Sequence, residues 1–373
     1  MSKAVIVGGS SGLGLAITHE LAKKYTNVIV LDLKETAFDN SNVSFKKCDI
    51  SKDITEIIKE LSGCDCLIIT AGFGVVKPFI EYSDAEIVKN ISVNSTSIIR
   101  IIHAFYDTLL SNKNAKCLVV GSIAGEVSSP LFSVYGAAKA SISKICESVN
   151  IELEKSNSSN RITCVIATSF QGTSFNGGKT DLSLLDELSK QCISAMDSRA
   201  EKLFINEELC LDIIKRYQSN PHEFGLSSYD YKIKNNRISN RKSIVVGYLS
   251  GTFDLFHIGH LNLLRRAKEQ CDYLIVGVHK SGAWKGKETF IPFEERIQIV
   301  GSIKYVDEVC ESFPEDSDAW SKFHYDKLFV GSDYKGSERF KKYEEYFADK
   351  DVEIVYFSYT QGISSSQLRE KLK

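Results

Sequence analysis

Near its start the chain reads Ala4-Val5-Ile6-Val7-Gly8-Gly9-Ser10-Ser11-Gly12-Leu13-Gly14, an apolar run followed directly by a glycine-rich turn. The apolar run predicts a buried β-strand, and the turn opens a helix. Glycines at such a junction permit a tight turn and a close approach of the backbone to a ligand. This order of strand, turn and helix predicts a dinucleotide site in which the helix N-terminus faces a pyrophosphate.

The rest of the first half repeats this alternation of short β-branched runs and helix-length amphipathic stretches. The runs predicted as strands are residues 4–7, 28–31, 43–45, 66–70, 117–120 and 163–167. Because strands that alternate with helices form parallel sheets, we expect an α/β domain of the doubly wound Rossmann type.

A polar, basic stretch at about residues 225–243 shows little apolar periodicity and separates this region from a second one. Beyond it we predict strands at 244–248, 273–278, 327–330 and 352–357, a helix that ends at Glu269 and a helix at 293–303. The chain is therefore expected to contain a first domain at 1–232, a linker at 233–243 and a smaller Rossmann-like α/β domain at 244–373.

The composition agrees with two globular domains and excludes several classes of protein. The chain has 373 residues, 43% hydrophobic and 25% charged, with a formal net charge of −2. The length is sufficient for two cores, and the charge does not favour a nucleic-acid binder or a membrane-surface binder. The ten cysteines lack paired CxxC spacing, which is typical of reduced thiols. No signal peptide is apparent, and no apolar run approaches the roughly 18 residues of a membrane span, so we expect a cytoplasmic protein.

The predicted cofactor site comprises the turn and the end of the second strand. Asp32 closes that strand, where a carboxylate can bind the adenosine ribose hydroxyls and disfavour a 2′-phosphate. We therefore expect NAD(H) or NADP(H), with NAD favoured, although Lys34 lies close by in the sequence. The turn residues assigned to cofactor binding are Gly8, Ser10, Ser11, Gly12 and Gly14.

A second group of side chains predicts acid–base chemistry in the same domain. Tyr135 and Lys139 lie one helical turn apart. A tyrosine has an ordinary pKa of about 10, and a nearby ammonium is expected to lower it toward neutral pH. Ser122 can hold a substrate oxygen, and Asn94 can organise water for a proton relay.

These residues resemble the pattern of short-chain dehydrogenases/reductases, whose Ser/Tyr/Lys triad matches Ser122, Tyr135 and Lys139 and whose proton-relay asparagine matches Asn94. The resemblance implies reduction or oxidation with a nicotinamide cofactor. It further places Asp49 at the adenine, Ala71 and Gly72 beside the cofactor, and Thr173 at the nicotinamide carboxamide. In four places the chain departs from the family: Val7 replaces a threonine, Ile69-Thr70 stands where Asn-Asn is common, Thr168-Ser169 replaces Pro-Gly, and no last strand is evident before the linker.

The second domain carries the string Gly251-Thr252-Phe253-Asp254-Leu255-Phe256-His257-Ile258-Gly259-His260 after its first strand. Two imidazoles three residues apart at the start of a helix lie on one face. Together with the helix N-terminus they suit the stabilisation of charge on a triphosphate. A zinc site fits less well, because no third ligand with suitable spacing is apparent, so no metal-ligating residue is assigned.

The string resembles the HxGH nucleotidyltransferases, and in particular the branch of the glycerol-3-phosphate cytidylyltransferases; the segment Tyr305-Val306-Asp307-Glu308-Val309 also matches this branch. The resemblance implies transfer of a cytidylyl group from CTP with Mg²⁺. It makes His257, His260, Lys285 and Arg296 catalytic. It assigns nucleotide binding to Gly251, Thr252, Phe253, Asp254, Lys287, Gly362, Ile363, Ser364 and Ser365. Two departures are Tyr359, where the family has an arginine, and Ser281, where it commonly has an aspartate. Arg339 and Arg369 are the candidates to supply the missing positive charge.

Two chemistries on one chain suggest two consecutive steps. The hypothesis is that a ketose phosphate or keto-sugar phosphate is reduced to a polyol phosphate, which is then coupled to CMP as a CDP-polyol of the CDP-ribitol or CDP-glycerol type for surface polysaccharide synthesis. One alternative is a nucleotidyltransferase regulated by a non-catalytic NAD-binding domain, and another is a reductase that acts on the nucleotide-linked sugar. The expected partners are small-molecule substrates and further copies of the chain in a homo-oligomer, with no nucleic acid.

Overall fold

The computed structural model describes residues 2–169, 171–173, 175, 179–238, 244–281 and 288–358. The chain divides into two compact units, Met1–Arg241 and Lys242–Lys373. Both units are α/β and carry parallel sheets, which confirms the predicted fold class.

The described residues of the first unit form a seven-stranded parallel sheet with the order β3-β2-β1-β4-β5-β6-β7. The strands are β1 (Lys3–Val7), β2 (Asn27–Asp32), β3 (Val43–Lys47), β4 (Cys66–Ile69), β5 (Lys116–Val120), β6 (Ile162–Ala167) and β7 (Lys202–Ile205). Chain order reverses between β1 and β4, so a crevice opens beyond their carboxyl ends, where ligands of such sheets bind.

Helices cover both faces of this sheet. They are α1 (Gly12–Ala22), α2 (Thr55–Glu60), α3 (Asp84–Ile91), α4 (Ser97–Ser111), α5 (Ser133–Lys155), α6 (Asp186–Asp197), α7 (Glu207–Ser219) and α8 (Pro221–Lys234), with a π-helical turn at Ser92–Thr96 between α3 and α4. Alternate residues of the central strands enter two separate hydrophobic clusters: Val5 packs with α4 and α5, and Ile6 packs with α1 and α6. Strands buried on both faces explain the continuous apolar runs in the sequence.

The last strand of the first sheet was missed by the sequence analysis. β7 pairs with β6 in parallel, with Leu203 opposite Val165. Its four residues, Lys-Leu-Phe-Ile, begin with a charge and carry no glycine ending. β7 lies at the edge of the sheet and is recognised by its pairing with β6. Its sequence alone does not identify it as a strand, because an edge strand needs apolar residues on only one side.

The polar stretch at 225–243, which includes the predicted linker, is helical as far as Lys234. α8 continues to Lys234, so the predicted linker start at residue 233 lies inside a helix. Asn220 caps the helix by accepting from the Glu223 N–H at 3.1 Å, and Pro221 fills its first turn. None of its side chains is fully buried, which is why it lacks the apolar periodicity on which the prediction relied.

In the second unit the described residues form a five-stranded parallel sheet with the order β10-β9-β8-β11-β12. The strands are β8 (Val246–Gly251), β9 (Tyr273–Val278), β10 (Glu308–Glu311), β11 (Lys327–Gly331) and β12 (Glu353–Phe357), and the helices are α9 (Ile258–Glu269), α10 (Phe293–Gly301), α11 (Asp316–Phe323) and α12 (Glu338–Phe347). Relative to the predicted 244–248, the first strand is displaced by two to three residues toward the carboxyl end. Chain order reverses beside β8, which places the turn after β8 at the ligand-binding edge.

Among the described helices, none has the length and apolar character required to cross a membrane.

Candidate functional site

The glycine-rich turn after β1 has the close packing that its sequence predicts. Gly8 has a φ of +93°, and a Cβ atom there would lie 2.5 Å from the backbone nitrogen of Ala71. A Cβ on Gly14 would overlap with the carbonyl oxygen of Gly8. Side chains are therefore excluded at both positions, and α1 packs directly on the turn.

The N-terminus of α1 carries polar groups that remain available to a ligand. Ser11 is its N-cap residue, but its side chain makes no capping hydrogen bond. The Ser10 hydroxyl is buried and has no hydrogen-bond partner among the described residues. A helix start whose own N-cap side chain makes no hydrogen bond, beside a buried hydroxyl with no partner among the described residues, is suited to an anion such as a pyrophosphate. These features fit the predicted cofactor.

Asp32 ends β2 beside this turn. Its carboxylate accepts hydrogen bonds from the Ser10 N–H at 3.0 Å and the Leu33 N–H at 2.6 Å. Asp49 lies just beyond β3, next to the end of β2, because the Cys48 N–H bonds the Asp32 carbonyl at 2.9 Å. Both carboxylates therefore lie at the edge where the adenosine end of a dinucleotide is predicted.

Two threonines of the segment after β6 lie over the start of α1. Thr173 is near enough that a Cβ on Gly12 would lie 3.3 Å from its methyl group. The Thr180 hydroxyl accepts a hydrogen bond from the Gly12 N–H at 3.0 Å. Thr180 was not anticipated, because no motif surrounds it, and only the folded chain brings it to the turn.

The structure brings Ser122 and Tyr135 together. Ser122 follows β5, and Tyr135 lies in the first turn of α5. The Ser122 side chain lies close enough to the Tyr135 hydroxyl to lower its pKa. The Tyr135 ring is buried and stacks on Phe132, with ring centroids 4.3 Å apart. Phe132 was not singled out from the sequence, although it fixes the orientation of the tyrosine.

Lys139 and Asn94 complete the predicted group. Lys139 Nζ donates to the Val120 carbonyl at 2.8 Å and lies 5.7 Å from the Tyr135 ring centroid. Asn94 lies in the π-helical turn, and its amide bonds both the N–H (3.1 Å) and the carbonyl (2.8 Å) of Phe73. A Cβ on Gly72 would lie 2.8 Å from Asn94 Oδ1 and 3.4 Å from Lys139 Nζ. All four side chains thus converge at the carboxyl ends of β4 and β5.

The electrostatics of this group differ from the sequence-based expectation. Burial raises the pKa of Tyr135 above its usual value, and the nearby Ser122 hydroxyl opposes this rise only in part. Burial also lowers the pKa of Lys139 to about 8. The expected lowering of the tyrosine pKa by the lysine is therefore not found, because both groups lie in a low-dielectric site and the ammonium is directed at the Val120 carbonyl.

In the second unit the two histidines begin α9 after the turn that follows β8. His257 is the N-cap residue, and its Nδ1 accepts the Gly259 N–H at 3.0 Å. This bond requires an unprotonated Nδ1, so a neutral ring carries its proton on Nε2. The two imidazoles stack with centroids 4.1 Å apart. His260 Nδ1 is buried and has no partner among the described residues, which fits a site completed by a polar ligand.

Asp254 and Arg296 organise the backbone around the histidines. The buried Asp254 carboxylate accepts from the N–H groups of Phe290 (3.1 Å) and Ile291 (3.0 Å). Arg296 is 0% exposed. Its guanidinium donates to four carbonyl oxygens, those of Ile291, His279 and Lys280 at 2.8–3.0 Å and that of Thr252. This geometry does not fit the predicted direct catalytic contact of Arg296, because its charge is already shared among backbone oxygens. Its position favours a role in holding together the turns after β8 and β9.

The surroundings of Arg339 do not favour it as a substitute for the family arginine that Tyr359 replaces. Its side chain pairs with Glu315 at 3.1 Å and donates to the Tyr343 hydroxyl at 2.9 Å. Several other predicted residues lie outside the described part of the chain: Lys285, Lys287, Tyr359, Gly362, Ile363, Ser364, Ser365 and Arg369.

Burial lowers the pKa values of both His257 and His260. The pKa of His260 is lowered to about 4, mainly by desolvation and further by His257, while Asp254 opposes the shift. Desolvation also lowers the pKa of His257. Both imidazoles are therefore mainly neutral near pH 7, and in that form each can donate one hydrogen bond through an N–H group.

We expect the free energy of unfolding of the second unit to decrease as the pH falls from about 6.5 to about 4. The unfolded chain protonates His260 at its ordinary pKa of about 6.5, whereas the folded unit does so only near pH 4. This contribution is fully present above pH 6.5 and is lost below it, by up to about 3 kcal/mol. Urea denaturation followed by tryptophan fluorescence measures it, since both tryptophans, Trp284 and Trp320, lie in this unit.

His260→Gln is expected to flatten that decrease, and His222→Gln in the first unit serves as the matched control. Identical pH dependence in the wild type and His260→Gln would show that the buried imidazole is not the group responsible.

Comparison with known protein families matches one family model to each unit. Residues 2–181 match the family model described as short chain dehydrogenase, and residues 248–371 match the model described as cytidylyltransferase-like. Glycerol-3-phosphate cytidylyltransferase of Staphylococcus aureus is 36% identical over 126 residues, which cover 33% of this chain and 90% of the relative. The enzyme of the same name from Bacillus subtilis is 33% identical over 126 residues, covering 33% and 92%.

Solved structures support the fold of the first unit. A short chain dehydrogenase from Burkholderia cenocepacia, in complex with NADP, superposes with a TM-score of 0.52 at 20% identity, covering 61% of this chain and 97% of that one. At this identity the likeness concerns the fold alone. The fold and the family match together support binding of a nicotinamide cofactor. The predicted resemblance is thereby confirmed for both halves of the chain. The chain belongs to the cytidylyltransferase-like family through its second unit and carries a short chain dehydrogenase domain in its first. It is therefore a bifunctional oxidoreductase and cytidylyltransferase.

Proposed function

We propose that the protein reduces a ketose phosphate or keto-sugar phosphate to a polyol phosphate and then joins that product to CMP, giving a CDP-polyol of the CDP-ribitol or CDP-glycerol type for surface polysaccharide synthesis. The observation that carries the proposal is the similarity of the second unit, over nearly the whole length of its relatives, to cytidylyltransferases named for glycerol 3-phosphate. Glycerol 3-phosphate is a polyol phosphate. A carbonyl reductase on the same chain is suited to supply such an acceptor.

The first unit offers the groups that the reduction needs. The nicotinamide cofactor, when bound, supplies the hydride that adds to the carbonyl carbon. In this reaction the Ser122 hydroxyl donates to the carbonyl oxygen, and the nearby Tyr135 hydroxyl gives that oxygen its proton. Lys139 lies 5.7 Å from the tyrosine ring and is placed to stabilise the phenolate left behind. Asn94 holds the segment at Phe73 that lines the same crevice.

NAD(H) is the cofactor we favour. The Asp32 carboxylate is fixed by two backbone N–H groups at the end of β2. A negative charge there can accept hydrogen bonds from the ribose hydroxyls and repels a 2′-phosphate.

The second unit offers a neutral hydrogen-bonding site for phosphates. In the proposed reaction a phosphate oxygen of the polyol phosphate attacks the α-phosphorus of CTP, and pyrophosphate leaves, with Mg²⁺ accompanying the nucleotide. His257 and His260 begin α9, whose N-terminus adds positive potential. Donors at fixed positions lower the barrier because phosphoryl transfer depends mostly on positioning and on neutralisation of developing charge.

The experiment supplies the purified protein with CTP, Mg²⁺, NADH or NADPH, and ribulose 5-phosphate or dihydroxyacetone phosphate. We expect pyrophosphate release to require the reduced cofactor when a ketose phosphate is the substrate, and not to require it when ribitol 5-phosphate or glycerol 3-phosphate is supplied. NAD(P)H oxidation and pyrophosphate release are followed in parallel.

Three outcomes would contradict the proposal. Cofactor binding without turnover of any carbonyl would favour a regulatory first unit. Cofactor oxidation that occurs only with CDP-linked sugars would favour the reverse order of reactions. Pyrophosphate release from the ketose phosphate with no cofactor oxidation would show that the two activities are not coupled.

A further inference from the structure

α8 lies beyond the residues that match the short chain dehydrogenase model, which end at 181. One of its side chains nevertheless reaches the loop between the two reductase residues Ser122 and Tyr135. Lys232 Nζ donates to the Pro130 carbonyl at 2.7 Å and to the Ser129 hydroxyl at 3.0 Å. Its third hydrogen bond, at 3.2 Å, is to the Ser228 hydroxyl in its own helix.

The three acceptors of Lys232 are uncharged oxygens. In the described part of the chain no carboxylate lies within ion-pair distance of this ammonium. Burial lowers the pKa of Lys232 to about 8, with desolvation as its cause. A partly buried cation without a counter-ion is costly to maintain. An anionic ligand would remove that cost.

The loop that Lys232 contacts forms part of the surroundings of Tyr135. The Phe132 N–H bonds the Ser129 carbonyl at 3.0 Å, and the Phe132 ring stacks on Tyr135. A Cβ on Gly136, the residue after Tyr135, would lie 3.7 Å from the Ser129 Cβ. The other side of the loop is held by the Lys77 N–H, which bonds the Leu131 carbonyl at 2.7 Å. Lys232 is therefore separated from the proton-donating tyrosine by one short loop.

The second lysine near this loop is already neutralised. Lys77 is buried and pairs with Glu86 at 2.7 Å. Of the two, only Lys232 carries a charge that its described neighbours leave uncompensated. Lysine suits a phosphate as a compact positive charge with rotatable donors.

We propose that Lys232 is the specificity-determining residue of the reductase that binds the phosphate group of its ketose substrate. The inference rests on the proposed function, in which that substrate is phosphorylated. The carbonyl is held at Ser122 and Tyr135 while the phosphate, at the far end of the sugar, displaces the serine hydroxyls from the Lys232 ammonium.

The test compares each phosphorylated ketose with its unphosphorylated form, ribulose 5-phosphate with ribulose and dihydroxyacetone phosphate with dihydroxyacetone, in the full chain. For Lys232→Gln we expect the ratio of kcat/KM between the two forms to fall on the order of 10- to 100-fold, mainly through KM for the phosphorylated one. Lys232→Arg should retain most of the preference. Lys234→Gln, an exposed lysine of the same helix, is the matched control.

A purely structural role of Lys232 predicts a different result. If the side chain only fastens α8 to the loop, Lys232→Gln will lower kcat/KM for both forms equally, and the ratio will not change. That result would overturn the proposal, as would an unchanged preference in a fully active variant.

A second measurement does not depend on turnover. Acetic anhydride modification of lysines is followed by mass spectrometry with ribulose 5-phosphate or ribulose present. We expect the phosphorylated sugar to slow modification of Lys232 relative to Lys234, and ribulose to have no effect. Protection in a protein that reduces no ketose phosphate would refute the proposed function but support the phosphate site. Turnover of ketose phosphates without protection would refute the site alone.

Discussion

Replacing Tyr135 with phenylalanine is expected to lower kcat for carbonyl reduction by about 10²- to 10⁴-fold, the usual contribution of a positioned general acid. The substitution removes one hydroxyl from a ring that is buried against Phe132 and leaves the stacking intact. Ser122 keeps its place after β5, but the alkoxide formed by hydride addition has no proton donor. The measurement is the rate of NAD(P)H oxidation at saturating ketose phosphate.

Cytidylyl transfer should be unaffected by this substitution. The tyrosine lies in the first unit and the HxGH histidines in the second, so pyrophosphate release from supplied ribitol 5-phosphate and CTP should equal that of the wild type. Tyr106→Phe, which removes a hydroxyl from α4 in the same unit, serves as the control and should reduce at the normal rate. Full reductase activity in Tyr135→Phe would exclude the tyrosine as the proton donor.

The fold could be predicted from the sequence where a strand consists of one continuous apolar run. The buried strands β1, β2, β4 and β5 are continuous apolar runs because both faces of the sheet are covered. β7 and α8 were missed for the opposite reason. β7 has only β6 as a partner and begins with Lys202, and α8 buries no side chain completely.

In the candidate sites, too, the sequence predicts which residues come together, but not the contacts that depend on the folded chain. The grouping of Asn94, Ser122, Tyr135 and Lys139 follows from the carboxyl ends of parallel strands meeting at one edge, which the motif order implies. The direction of a long side chain does not follow from spacing. Arg296 was predicted to be catalytic, yet its guanidinium turns inward to four carbonyl oxygens. Lys232 lies in the polar stretch at 225–243, next to the predicted linker, yet it contacts the loop beside Tyr135.

The second large effect is expected at His257, and the choice of substitution separates catalysis from folding. The structure shows one role of His257: its Nδ1 accepts the Gly259 N–H and caps α9. The proposed function adds a second role, in which its Nε2–H donates to a phosphate. His257→Ala removes both. His257→Asn keeps the cap, because the asparagine oxygen is among the best N-cap acceptors, but it is too short to place a donor where Nε2 lies.

We therefore expect both variants to lose cytidylyl transfer to a similar extent, about 10²- to 10³-fold in kcat, which is typical for removal of one donor to a charged transition state. Only His257→Ala should also destabilise the second unit, by about 1 kcal/mol for a lost cap. Pyrophosphate release measures the first effect and urea denaturation by tryptophan fluorescence the second, with NAD(P)H-dependent reduction as the internal control. If His257→Asn transfers cytidylyl groups at the wild-type rate, His257 acts only as a helix cap, and the donor to the triphosphate must be sought at His260, whose buried Nδ1 has no partner among the described residues.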